Sequence, residues 1–176
     1  INRERTAWVF VMMHTPWYNT NTGHWKEGEK LRANMEPLFF KYGVDLSLSG
    51  HVHSYERSKG VFNNTVNTCG TSFFNLGDAG NYEGKSGTWQ NPLSEYGNWS
   101  EFREDSFGVA GLTVVNDTHA FFSWHRHACQ SNDAAAYHMN FSESCTTYGD
   151  NSVQRMETSD EVWIVRPDFA ECPNRY

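Results

Sequence analysis

The sequence has neither a long apolar run nor a cluster of basic residues. Its longest uninterrupted apolar stretch is residues 7–13, far shorter than the roughly 20 residues that a membrane-spanning helix requires. Lys and Arg number 14 against 21 Asp and Glu, and the net charge is −7. Because nucleic acids and anionic membranes are bound by clustered cations, we expect neither as a partner.

Cysteine is scarce, and the four Cys, at positions 69, 129, 145 and 172, include no C-x-x-C pair. Their spacing does not favour a zinc ribbon or a redox motif, whereas two disulfides in an oxidising compartment fit the even number. Four Asn-x-Ser/Thr sequons are candidate glycosylation sites: Asn63, Asn98, Asn116 and Asn140. These features predict a secreted glycoprotein; the alternative is that the sequons arise by chance and the Cys are buried thiols.

The chain opens on Ile1 rather than Met, and its first residues have no basic segment followed by an apolar one. We expect it to be a processed or partial form of a longer chain. Its 176 residues suffice for one domain with a sizeable core, so that any metal site serves chemistry rather than folding.

The first fifty residues have the pattern strand, helix, strand. Residues 6–13 form a continuous apolar, β-rich run typical of a buried strand, and residues 44–48 alternate apolar and polar. Between them an amphipathic helix is predicted over residues 26–42, with a kink or break at Pro37. Its apolar residues at the helical period are Leu31, Met35, Leu38, Phe39 and Tyr42. A βαβ unit of this kind places its site beyond the carboxyl ends of the strands.

The second half of the sequence has an antiparallel β character. Short β-rich runs cover residues 71–76, 108–115, 118–124 and 161–165, and Gly, Asn and Ser separate them. The polar pair Asn116-Asp117 predicts a hairpin between the second and third of these runs. Residues 80–98, rich in Gly, are typical of a long surface loop.

Three histidines follow the ends of the two predicted parallel strands. His14 follows the first, and the segment Gly50-His51-Val52-His53 follows the second. Residues two apart in an extended chain face the same way, so we expect His51 and His53 to point together. Converging imidazoles bind one metal ion, or two ions about 3.5–4 Å apart as in two-metal hydrolases. We therefore predict that His14, His51 and His53 are metal ligands.

A fourth histidine, His24, lies in the loop before the predicted helix. It is a candidate general acid, and Glu27 is the carboxylate that would keep it protonated. A Glu near a helix N-terminus is also favoured by the helix dipole alone, so a purely structural role for Glu27 stays open. Asp78, between two glycines, is expected in a turn rather than at a metal.

Several segments resemble the carboxyl-terminal half of the purple acid phosphatases, which are metallophosphoesterases. The matching blocks are V-x-x-H at residues 11–14, G-H-x-H at 50–53, and the segments 77–84, 103–108 and 116–126. The likeness is dense over residues 8–127. The resemblance implies an α/β fold with α+β character. In this fold the chain would be the carboxyl-terminal half of a four-layer α/β/β/α sandwich. Residues 1–176 would then form part of a single catalytic domain.

The resemblance also implies a secreted acid phosphatase that hydrolyses phosphate monoesters at a binuclear centre. His14 and His51 would bind a divalent ion (Zn, Fe or Mn) and His53 would bind Fe(III). A metal-bound hydroxide would attack phosphorus, and His24 would assist the departing alkoxide. Plant relatives often have two adjacent histidines where this chain has Gly23 and His24.

The family's remaining metal ligands precede V-x-x-H, and only 13 residues precede His14 here. Because Fe(III) prefers oxygen donors, three imidazoles alone suit it poorly. The resemblance thus predicts a second chain carrying the amino-terminal half as partner, and a small phosphate ester as substrate. The alternatives are a phosphodiesterase or nucleotide-sugar pyrophosphatase on the same scaffold, a mononuclear zinc protein that uses the three histidines, and a glycoprotein binding module with a structural metal.

Overall fold

A six-stranded mixed sheet, sheet 1, is central to the computed structural model, which describes residues 1–2, 5–127 and 156–173. Its strand order is β1-β2-β5-β3-β4, with β6 also paired to β3. β1, β2 and β5 are parallel, whereas β3 is antiparallel to its three neighbours. The strands are β1 (Phe10–Met13), β2 (Leu46–Ser49), β3 (Tyr55–Phe62), β4 (Thr65–Val66), β5 (Thr71–Leu76) and β6 (Ser100–Glu104).

Helix α1 (Glu29–Lys41) connects β1 to β2, which confirms the predicted βαβ unit. The helix begins three residues later than expected and continues through Pro37, so the alternative of a break at that residue is wrong. It ends at Lys41, and Gly43, two residues later, has φ 61°, which suits a residue without a side chain. The N–H groups of Gly43 and Val44 donate to the carbonyls of Phe40 and Phe39, at 3.2 and 2.9 Å, and satisfy the last turn.

Of the five apolar residues that predict α1, only Phe39 lies on its buried face. Leu31, Met35, Leu38 and Tyr42 are 37–54% exposed, whereas Arg32, Glu36 and Phe39 are buried. The polar pair is accommodated because Arg32 and Glu36 form a buried ion pair. We call the four exposed residues the apolar flank of α1. An uncovered apolar flank of this length is unusual for a surface helix, which normally turns such residues inward.

A second, three-stranded antiparallel sheet, sheet 2, contains β7 (Gly108–Val114), β8 (His119–His127) and β9 (Met156–Val165) in that order. β7 and β8 pair directly, with Val114 opposite Ala120, and this confirms the hairpin at Asn116-Asp117. The predicted last run, residues 161–165, is only the second half of β9. The segment 80–98 includes one short helix, α2 (Leu93–Tyr96).

Sheets 1 and 2 pack face to face through a largely aromatic cluster. Tyr55 and Phe74 of sheet 1 meet Phe122 and Trp124 of sheet 2, and the rings of Tyr55 and Trp124 stack at 4.7 Å between centroids. Asp160 of β9 adds a polar link, since it accepts a hydrogen bond from the Tyr55 hydroxyl at 2.7 Å. Helix α1, sheet 1 and sheet 2 together form a mixed α/β fold, as the sequence predicts.

A disulfide joins Cys69 to Cys172 and ties the β4–β5 connection to the segment after β9. It is one of the two disulfides expected from the Cys count. Cys129, Cys145 and the sequon at Asn140 lie outside the described residues. Within the described ranges, no helix combines the length and the apolar character needed to cross a membrane.

Asp78 is buried where the end of β5 meets sheet 2. It is 1% exposed, and its backbone carbonyl accepts a hydrogen bond from Gly108 N–H at 3.0 Å. Burial raises the pKa of Asp78 to about 7, opposed by the neighbouring Trp124 side chain. The carboxyl group is therefore protonated in mildly acidic solution, where a buried neutral acid costs less than a buried charge.

Replacing Asp78 with Asn should remove part of the pH dependence of stability. An Asp whose pKa is higher in the folded than in the unfolded chain stabilises the fold while protonated. This contribution is complete below about pH 4 and is lost as the pH rises to about 7. Urea unfolding of both proteins at several pH values measures the effect: the wild type should lose a few kcal/mol over this interval relative to Asp78→Asn. If the unfolding free energies of the two proteins changed with pH in parallel, Asp78 would be ionised in the folded protein over this whole interval.

Candidate functional site

The ends of β1 and β2 bring His14 and the segment 50–53 together. The register pairs Met13 with Ser49, so that His14 and Gly50 follow side by side. Gly50 N–H donates to the His14 carbonyl at 3.0 Å. The rings of His14 and His51 then lie 4.9 Å apart between centroids. The predicted convergence of histidines at the carboxyl end of the parallel strands is present.

The backbone at residues 50–54 is not extended, and the expected reason for the alignment of His51 and His53 is wrong. His51 has φ 65°, and two tight turns follow, in which Val52 N–H donates to Gly50 carbonyl at 2.7 Å and Ser54 N–H donates to Val52 carbonyl at 2.8 Å. Both imidazoles nevertheless line the same cavity. Tight turns, rather than alternation along a strand, direct them there.

Two residues at the end of β5 hold this turn in place. The buried Asn75 amide donates to the carbonyls of Val52 and Ser54, at 2.9 and 2.6 Å. A Cβ on Gly77 would lie 2.1 Å from the Val52 carbonyl oxygen, so only glycine permits this close approach. Sequence reasoning missed Asn75, because its partners are more than twenty residues away along the chain.

The loop that carries His24 is fixed by a buried carboxylate. Glu56, on β3, accepts hydrogen bonds from Thr20 N–H at 2.7 Å, from Thr20 Oγ1 at 2.6 Å and from Ser100 Oγ at 2.6 Å. Burial raises the pKa of Glu56, and these hydrogen bonds oppose the rise. Glu56 therefore couples the His24 loop to β3 and β6.

Glu27 connects His24 to His51. Its Oε2 accepts hydrogen bonds from His24 Nδ1 at 3.0 Å and from His51 Nε2 at 2.9 Å. These bonds lower the pKa of Glu27, so the carboxylate is charged at neutral pH. The side chains of Glu27, His24 and His51 are 44%, 29% and 31% exposed, which leaves them accessible to solutes. The pairing of His24 with Glu27 agrees with the prediction for the two residues, and the contact with His51 is additional.

The four histidines line one cavity of about 470 Å³. His14, His24, His51 and His53 form one side, and Gly77 together with residues 83–86 forms the other. Imidazole nitrogens are ligands for Zn, Fe and similar ions, so the donor set fits the metals that the resemblance implies.

Residues 83–86 form a wall that sequence reasoning assigned to a surface loop. His53 Nδ1 donates to the Gly84 carbonyl at 3.0 Å, and Ser86 N–H donates to the His53 carbonyl at 2.9 Å. Glu83 Oε2 lies 3.7 Å from His53 Nε2. The segment therefore adds a carboxylate, Glu83, and an ammonium group, Lys85, to the cavity. Only tertiary contacts bring it there.

Three of the sequon asparagines lie on exposed connections. Asn63 is in the β3–β4 turn, Asn98 precedes β6, and Asn116 is in the β7–β8 hairpin. All three are exposed, as an attached glycan requires.

Comparisons with protein families agree with this geometry. Residues 2–55 match the family model for calcineurin-like phosphoesterases, and residues 73–135 match the model described as iron/zinc purple acid phosphatase-like protein C. Both matches are to metallophosphoesterases. Within that class, the chain matches the purple acid phosphatase family over the greater part of its length.

Individual relatives are also purple acid phosphatases. The aligned lengths show what share of each relative this chain covers. Purple acid phosphatase 18 of Arabidopsis thaliana is 48% identical over 126 residues, which are 72% of this chain and 28% of the relative. Purple acid phosphatase 1 of Ipomoea batatas is 44% identical over 137 residues, with the same coverage of both chains. The solved structure of purple acid phosphatase PPD1 from yellow lupin matches with a TM-score of 0.63 at 22% identity, over 72% of this chain and 24% of that one, and supports the fold. The chain spans less than a third of each.

Proposed function

We propose that residues 1–176 are the carboxyl-terminal part of the catalytic domain of a secreted acid phosphatase that hydrolyses phosphate monoesters at a binuclear metal centre. The convergence of four imidazoles on one cavity at the carboxyl ends of two parallel strands carries this proposal. The match to the purple acid phosphatase family supports it, since the relatives are named acid phosphatases. The exposed sequons and the Cys69–Cys172 disulfide favour secretion.

In this proposal His14 and His51 hold the divalent ion (Zn, Fe or Mn), and His53 holds Fe(III). Two ions in such a site neutralise charge on the phosphoryl group and acidify the attacking water. His53 is oriented for this role, because its Nδ1 is occupied by the Gly84 carbonyl, and its Nε2 is the nitrogen that remains for a ligand bond.

His24 serves as the proton donor to the departing alkoxide. Glu27 accepts the hydrogen bond from His24 Nδ1, which fixes the ring. Nε2 is then the ring nitrogen that remains to donate a proton. Glu56 contributes indirectly, since it holds the loop on which His24 lies.

The chain acts together with further polypeptide that contains the amino-terminal half of the domain. A ferric site needs oxygen donors beyond the three imidazoles, and the chain spans 28% of its first relatives.

The apolar flank of α1 indicates where that polypeptide docks. The opposite side of α1 faces the β3–β4 end of sheet 1, because Phe40 stacks on Phe62 at 4.0 Å. The apolar flank therefore faces the other end, where β1 is the edge strand and Met12 is 82% exposed. A strand added to β1 and a helix packed on the flank would cover both.

Replacing His51 or His53 with Ala in the whole enzyme should lower turnover of p-nitrophenyl phosphate by about a thousandfold, the equivalent of several kcal/mol of metal stabilisation. The control is His125→Ala, on β8, whose ring contacts Ser123 and Thr158 rather than the cavity. Retained turnover in His51→Ala or His53→Ala would contradict the proposal. Faster turnover of bis-p-nitrophenyl phosphate than of the monoester would favour a phosphodiesterase.

Replacing His24 with Ala should affect substrates according to their leaving group. An alkyl phosphate needs a proton on its departing oxygen, so its kcat should fall by about 10²- to 10⁴-fold. A p-nitrophenyl ester leaves as a stable anion and should lose much less. Steady-state kinetics on both esters measures the difference. Equal losses would exclude His24 as the proton donor.

Replacing Leu38 with Lys tests the docking surface. In the isolated chain Leu38 is 45% exposed, so the change should alter unfolding free energy by less than about 0.5 kcal/mol. In the whole enzyme it would bury a charge against apolar residues and cost about 2–4 kcal/mol. Ala33→Lys, on the exposed opposite side of α1, is the matched control. Equal effects of Leu38→Lys in both forms would show that nothing covers the flank.

A further inference from the structure

The carboxylate of Glu27 and the rings of His24 and His51 form a compact group of potential metal ligands. Glu27 Oε2 lies 3.0 Å from His24 Nδ1 and 2.9 Å from His51 Nε2, and the three atoms all lie within 4.8 Å of one another. Among the described residues, this is the one group of three or more His, Cys, Asp or Glu side chains that meets this condition. His14 and His53 do not belong to it.

These distances suit zinc. Zn–N bonds of about 2.0–2.1 Å and Zn–O bonds of about 2.0–2.2 Å place tetrahedral ligands roughly 3.3 Å apart. The two nitrogen-to-oxygen distances, 3.0 and 2.9 Å, are a few tenths of an ångström shorter than this, and all three ligand atoms lie within 4.8 Å of one another. Two histidines and one glutamate with an open fourth position are also a ligand set that zinc enzymes use.

The backbone adopts unusual conformations next to these ligands. His51 has φ 65°, and Lys26, directly before Glu27, has φ 61°. Among the described residues, the other two with positive φ besides glycine are Asn63 and Asn64, and asparagine tolerates this region. Strained backbone at residues other than Asn and Gly is concentrated at functional sites.

The charge of the group favours a cation. The Glu27 carboxylate lies between the two imidazoles and contacts both. Its ion-pair partners in the described part of the chain are the two imidazoles, and neither a Lys nor an Arg competes for it. In their neutral forms, both imidazoles can turn the nitrogen lone pair toward an ion.

We propose that the chain binds one zinc ion through His24 Nδ1, Glu27 Oε2 and His51 Nε2. This site differs from the three-histidine set of the proposed phosphatase, and the two sets share His51. The two sites therefore exclude each other. This inference rests on the proposed function only for that consequence: zinc bound through His24 and His51 would occupy the proposed proton donor and one proposed metal ligand.

Zinc titration of the 176-residue chain at about pH 7.5, in competition with a chromophoric chelator, tests the proposal. The wild type should bind one equivalent, and Glu27→Gln should weaken binding by more than about tenfold because a charged ligand is lost. His53→Gln and Glu83→Gln are matched controls from the same cavity and should change the affinity less than about twofold. Cobalt substituted for zinc should give the visible spectrum of a four-coordinate site, and Glu27→Gln should alter that spectrum.

Either of two results would overturn the proposal. One is the absence of stoichiometric zinc binding. The other is a loss of affinity in His53→Gln but not in Glu27→Gln, which would place the ion at the three-histidine set. The titration measures binding by the chain itself, whereas the phosphatase proposal is tested by turnover of the whole enzyme. Failure of one is therefore distinguishable from failure of the other.

Discussion

The parallel pairing of β1 with β2 is the constraint on which the site depends. Its register ends both strands at the same level, so that His14 and the 50–53 turn emerge side by side. A shift of one residue would reverse which side chains face α1 and which face sheet 2. The packing between the two sheets favours this register, since the paired residues Phe10 and Leu46 both pack in that cluster.

Buried polar contacts fix the loops around the cavity. Glu56 holds the His24 loop, Asn75 holds the histidine turn, and the Gly84 carbonyl orients His53. Each contact joins segments far apart in sequence, and breaking the Glu56 or Asn75 contacts leaves a buried donor or acceptor without a partner. The site is thus rigid at its base, while the rings of His24 and His51 remain partly exposed to solutes.

The chain has carboxylates close to its imidazoles, and this affects which ions it can hold. Glu27 contacts two of the histidines and Glu83 lies near a third. Oxygen donors favour harder ions than imidazole alone does. Glu27 and Glu83 thus add oxygen atoms to a cavity whose other candidate ligands are imidazole nitrogens.

The sequence by itself determined the βαβ unit, the hairpin of sheet 2 and the histidines at the strand ends, because hydrophobic period and turn residues are local signals. It also paired His24 with Glu27, which are three residues apart. Only the tertiary structure decided that Glu27 reaches His51, that residues 83–86 form a wall of the cavity, and that the apolar flank of α1 is uncovered. These depend on contacts between distant segments and on the left-handed conformation of His51, and neither leaves a periodic trace in the sequence.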